Sequence, residues 1–175
     1  MSPITADLLR EILARYPLNP WGLHGLAHWA RVLENGRKLQ AQTDARLDVV
    51  ELFAIFHDSQ RRNDGLDFGH GKRGAELAAK LRDSFYQLDQ EGFALLSAAC
   101  AGHTNSHGPA DITVWTCWDA DRLDLGRVGT RPEPRFLNTA AAKDPQMIAW
   151  GWAHSREKEL PALLREEWGI EEREG

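Results

Sequence analysis

Cysteine is nearly absent. The 175 residues include two, Cys100 and Cys117, so neither a disulfide framework nor the paired C-x-x-C of a structural zinc site is available. Long apolar runs are also missing. Nothing approaches the roughly 18 apolar residues that a membrane span requires, and the N-terminal MSPITADLLREILARYP is interrupted by Asp7, Arg10, Glu11 and Arg15. That stretch lacks the apolar h-region and cleavage site of a signal peptide. These absences predict a reducing, cytoplasmic location and no membrane partner. Positive charge is not in excess either: the formal charge is -5 and the pI about 5.8. An acidic balance offers no basic face for a long nucleic-acid backbone, though a locally basic pocket stays open. Finally, period-two alternation, internal repeats and low-complexity segments are scarce, which speaks against a β architecture or a solenoid.

What is present is ordinary globular material, 42% hydrophobic and 27% charged, in a length that fits one domain over 1–175. Apolar residues recur at spacings of three and four, so the predicted class is all-α, a compact helical bundle of about six to seven helices. A first helix starts at Thr5 or Asp7 and stops before Pro17. A second covers roughly His24 to Gln42. The third, about Leu47 to Gln60, is apolar on most sides, as a central buried helix should be. The Gly-rich RRNDGLDFGHG predicts a loop feeding a fourth helix near Lys72 to Phe85, and a fifth runs from about Gln90 to His103. ITVWTCWDADRLDLG mixes β-branched residues with helical spacing; helix is favoured, with strand open at its start. Asp144-Pro145 opens a C-terminal helix over about 144–169, which Pro161 breaks or kinks. The charged residues after Gly169 are expected to fray.

Five of the seven histidines, His24, His28, His57, His70 and His103, fall on predicted helices or their ends. His57-Asp58 is the most telling pair, because it closes the very apolar LFAIF run, where polar groups are costly without partners. A metal ion would satisfy both. The structural alternative has Asp58 capping a helix and His57 bonding a backbone carbonyl. Upstream, HGLAHWARV sets His24 and His28 four apart on one expected helical face. Downstream, DADRLDLG carries Asp119, Asp121 and Asp124.

The ordered set H…HD…D over separate helices resembles the HD-domain superfamily of metal-dependent phosphohydrolases, in a small, bacterial-type, single-domain form. The resemblance covers about residues 20–130. It includes His28 three residues before Arg31-Val32 and the string Ala120-Asp121-Arg122-Leu123. It implies the metal ligands His28, His57, Asp58 and Asp121, with Asp119 in place of Asp121 if the register slips by two. Such a mixed nitrogen and oxygen set suits Mn, Fe, Ni, Co, Zn or Mg and leaves positions for water. His70, in the string HGKRG, and His103 are either groups around a single ion or, as in binuclear members, ligands of a second one. His107 accompanies or replaces His103 in that role.

The activity implied is hydrolysis of a phosphoester or phosphoanhydride of a small molecule, possible nucleotides included, by water that the metal activates. Asp58, His70 and His103 are the candidate catalytic residues. His24, Arg61, Arg62, Lys72, Arg73 and Arg122 are the candidates for binding the anionic substrate, with Arg127 a further one. Each arginine has surface pairing as its alternative. Asp64 and Asp67 are either proton acceptors or turn residues. Trp29 is a candidate pocket wall. Both cysteines read as packing residues, because nothing near them would lower a thiol pKa. Competing readings are a di-iron oxygenase on the same fold, a non-catalytic metal- or ligand-binding module, and a nuclease like the HD domains associated with CRISPR systems, which the acidic balance disfavours.

Overall fold

A computed structural model describes residues 2–106 and 108–171. The order of elements is α1 (Ala6–Ala14), α2 (Leu26–Gln40), α3 (Leu47–Phe56), α4 (His70–Leu81), α5 (Gln90–Gly102), α6 (Ile112–Arg122), α7 (Ala140–Lys143), α8 (Pro145–His154) and α9 (Leu163–Glu166). Short 3-10 turns at Leu125–Val128 and Pro134–Phe136 lie between α6 and α7. Among the described residues there is no strand, only a single bridge between Arg82 and Tyr86. The fold is all-α. Seven helices have nine or more residues; α7 is a single turn that the sequence pattern did not predict, and α9 is a single turn within the expected C-terminal helix, beyond Pro161. No helix is long and apolar enough to cross a membrane among the described residues.

The bundle is organised around α3. Every residue from Val49 to Phe56 is buried, because LDVVELFAIF offers an apolar side chain in nearly every direction and so packs against α2, α4, α5 and α6 at once. Replacing Phe53 or Phe56, both fully buried, by Ala costs about 3–5 kcal/mol. The polar exception, Glu51, is held by Arg37 of α2, which also grips Glu167 beyond α9. Burying that carboxylate alone would be unfavourable; the guanidinium offsets it and ties the C-terminal region to the bundle.

Local chemistry sets the helix ends. The side chains of Thr5, Asp89, Asp111, Thr139 and Asp144 each accept a backbone N–H of the first turn, each such cap stabilising by about 1 kcal/mol. Asp111 settles the strand alternative, since it caps α6 where the β-branched run begins. The expected long C-terminal helix is corrected: α8 ends at His154, and the chain turns through Pro161 before α9. A proline has no N–H to donate, and its ring excludes the preceding turn. The fourth helix starts two residues earlier than expected, at His70. The third ends at Phe56 with His57 as its cap, so His57-Asp58 sits at the turn that leaves the core.

Candidate metal centre

Four buried imidazoles from four places in the bundle converge on Asp58. His28 comes from α2, His57 and Asp58 from the end of α3, His70 from the first residue of α4, and His103 from the cap of α5. Close helix approach makes this possible. A Cβ on Gly71 would overlap the Cys100 carbonyl oxygen, and one on Gly74 would overlap that of Phe56. The glycines of HGKRG therefore let α4 touch α5 and the end of α3, which carries His70 to His103 and to Asp58.

The rings meet in two pairs. His28 Nε2 lies 3.0 Å from His57 Nε2, and His70 Nε2 lies 2.9 Å from His103 Nε2. In each ring the other nitrogen faces an acceptor. His28 Nδ1 donates to Asp124 Oδ2 at 2.6 Å, and His57 Nδ1 to the carbonyls of Phe53 and Ala54 at 3.1 and 3.2 Å. His70 Nδ1 donates to Asp67 O at 2.7 Å, and His103 Nδ1 to Cys100 O at 2.8 Å. A carbonyl or carboxylate only accepts, so the neutral ring carries its proton on Nδ1 and a lone pair on Nε2. Two nitrogens facing each other at 3 Å need a cation between them, either a proton or a metal ion. These separations are those of neighbouring nitrogens around one transition-metal ion, whose bonds to imidazole run about 2.0–2.1 Å.

Asp58 joins the two pairs. Its Oδ2 is 3.5 Å from His28 Nε2 and 3.7 Å from His57 Nε2. Its Oδ1 is 3.0 Å from His70 Nε2 and 3.5 Å from His103 Nε2. His24 Nδ1 donates to Oδ2 at 2.9 Å, and Arg61 Nε to Oδ1 at 3.1 Å. Asp121 Oδ1 completes the first pair, 3.4 Å from His28 and 3.7 Å from His57. Thr104 Oγ1 stands 3.4 and 3.3 Å from the Nε2 atoms of the second. Two groups thus have the spacing to hold a metal ion, His28, His57 and Asp58 on one side and Asp58, His70 and His103 on the other.

Electrostatics agree with a cation-binding centre. Burial tends to raise the pKa of Asp58, but His57, His103, His24 and His28 hold it well below the usual carboxylate range. Asp121 is lowered against burial by His28, His57 and His103, and Asp124 by His28 and Arg31. Burial drives His57 down to about 3, so that ring stays neutral. Burial and Arg127 also oppose charge on His28, yet Asp121, Asp124 and Asp58 outweigh them and raise it to about 9. The carboxylates are ionised at neutral pH, and their field favours a positive ion.

Several expectations change in detail. His24 does not share a helical face with His28: it precedes α2, whose cap is Gly25, and reaches Asp58 from a turn. His57 bonds backbone carbonyls through Nδ1, as one reading expected, and turns Nε2 towards His28. Asp119 lies away from the imidazoles, its carboxylate accepting from the backbone N–H groups and side chains of Asn138 and Thr139. Asp121 is therefore the aspartate that α6 brings to the centre. Arg73 is occupied on every nitrogen by Gln60 O, Phe68 O and Asp67, so Asp67 and Arg73 together pin the 61–69 loop. Arg122 lines the cleft but donates to Phe136 O and Ser106 O. Arg62 and Lys72 are exposed and line neither opening near the centre. Trp29 is fully buried against Tyr16 and forms core, not pocket wall. Both cysteines are buried, with burial pushing their thiols up. His107 lies outside the described residues.

Sequence reasoning gave Asp124 no role. It accepts from His28 Nδ1 and pairs with Arg31 Nε at 2.6 Å, fixing the ring's tautomer and orientation. The signal was in view: Arg31 follows His28 by one turn and Asp124 follows Asp121 by three residues, so the two local contexts are one ion pair.

Comparison with solved structures finds a predicted HD superfamily hydrolase from an uncultured Thermotogales bacterium. It is 25% identical, with 86% of each chain covered and a TM-score of 0.66. The chain has the HD-domain fold. Its buried histidine and aspartate groups are consistent with such a domain. Family models and curated proteins give no match to the chain.

Proposed function

We propose that this HD-domain chain is a metal-dependent phosphohydrolase that hydrolyses a phosphoester or phosphoanhydride of a small molecule in the cytoplasm, as a single domain holding two divalent ions. One observation carries the reading: Asp58 turns one carboxylate oxygen to each of two imidazole pairs. His28, His57, Asp58 and Asp121 would hold one ion, and Asp58, His70 and His103 the other, each being Mn, Fe, Ni, Co, Zn or Mg. When bound, such ions acidify water and polarise a phosphoryl oxygen.

The protein's own groups supply position and charge. His24 and Arg61 fix the Asp58 carboxylate from either side. Asp121, less buried than Asp58, faces an open cleft of about 510 Å³. Arg127 lies in the same wall, nine-tenths buried beside Asp124, with an Nε–H that has no partner among the described residues. The positive charge of a guanidinium in this wall favours a phosphate in the cleft. Asp64 stands in the cleft wall, whereas Asp67 is engaged by Arg73 and the Arg62 backbone. The test is phosphate release from a panel of phosphate esters and nucleotides by metal-loaded protein. Asp58→Ala is expected to abolish release, and unchanged release in that variant overturns the reading.

A further inference from the structure

The mouth of the metal centre is apolar. The described residues include seven large hydrophobic side chains that are exposed, and five of them surround the two adjoining openings beside the centre. Leu23, Val128 and Phe136 wall the larger cleft, while Leu66 and Phe68, 84% and 79% exposed, rim the smaller. Both openings share Arg61 and Thr104. Single exposed apolar residues need no explanation, but a cluster next to a charged centre does. Part of the polar capacity of this wall is already committed, leaving Asp64, Thr104 and Thr130 in the larger cleft and Asn105 in the smaller. Arg61 and Arg122 are bonded to protein acceptors, and among the described residues lining the larger cleft there is no asparagine or glutamine to pair with the edge of a base or the hydroxyls of a sugar.

We propose that the site takes amphiphilic phosphate monoesters, with the phosphate on the metal centre and Arg127 and an aliphatic or aryl group on the wall of Leu23, Val128 and Phe136. This rests on the phosphohydrolase reading. In the reaction, water adds to phosphorus and the ester P–O bond breaks, giving inorganic phosphate and an apolar alcohol. The cleft volume of about 510 Å³ is of the size that holds such a molecule. A buried phosphate and an apolar wall select together: neither a free sugar phosphate nor an uncharged lipid satisfies both halves.

The test is calorimetric titration of the metal-loaded full chain with methyl-, butyl-, hexyl- and octylphosphonate, which cannot be hydrolysed. Affinity is expected to rise about two- to fourfold per added methylene until the wall is covered. Phe136→Asn and Val128→Asn, at positions 48% and 47% exposed and so dispensable for folding, should flatten that slope. A dissociation constant independent of chain length overturns the proposal, as does tighter binding of a nucleoside phosphonate than of the octyl compound. Phosphate release from the matching alkyl phosphates is read separately. Chain-dependent binding without release strikes the hydrolase reading and leaves the ligand class standing. Release with flat binding does the reverse.

Discussion

The two imidazole pairs share one carboxylate but are supported differently. The His28–His57 pair has Asp121 beside it and Asp124 behind it, and Asp124 is fixed in turn by Arg31. Among the described residues, the His70–His103 pair has main-chain carbonyls behind its rings and Thr104 beside them. A carboxylate behind an imidazole raises its basicity more than an amide carbonyl does. The first position should therefore bind its ion more tightly, and the second should depend on how closely α4 approaches α5. Charge support should set affinity at one, helix packing at the other.

The largest effect that tests this comparison comes from Asp58→Asn, which keeps the shape but removes the carboxylate charge that the two pairs share. Binding at both positions is expected to fall together, with phosphate release lost; metal analysis after gel filtration checks it. Gly71→Ala comes next. It forces a Cβ against Cys100 O and the His103 ring, so the second ion should be lost while the first stays, and equal loss of both would break the contrast. Asp124→Asn should weaken only the first position, by about 10–100-fold, measured by competition with a chromophoric chelator.

The smallest effect lies far from the centre, where His154 pairs with Glu34 at 2.6 Å and its pKa is raised, chiefly by that bond. A histidine whose folded pKa exceeds its unfolded value of about 6.5 stabilises below that pH and loses the contribution as pH rises through the raised value. His154→Ala should lower Tm by about 1–2 °C at pH 6 and less at pH 9. Because the pair lies outside the centre, metal affinity should not change, which makes this variant the control for the others.

Much of this was legible in the sequence, and the exceptions have physical causes. Helices α1 to α6 follow from periodicity, since each buries one face or, for α3, nearly all of itself. His57-Asp58 stood out because polar groups at the end of an apolar run need partners. The end of α8 was less legible, because a proline further along leaves open where the helix stops before it. Periodicity also overran α2, placing His24 on a helix when Gly25 in fact caps it. Asp124 escaped because its spacing from Asp121 and that of Arg31 from His28 take on meaning only once α2 lies beside the end of α6. Arg73 and Arg122 read as anion donors from charge alone, whereas the fold uses both to hold backbone carbonyls.

The central claim is that Asp58 serves two metal positions of unequal strength. Calorimetric titration of chelator-treated protein with Mn²⁺, for the native chain and for the His70→Ala/His103→Ala double variant, tests it most directly. The native chain should take up two equivalents of different affinity, and the variant the tighter one alone. A single equivalent in both proteins, with the same affinity, would contradict it.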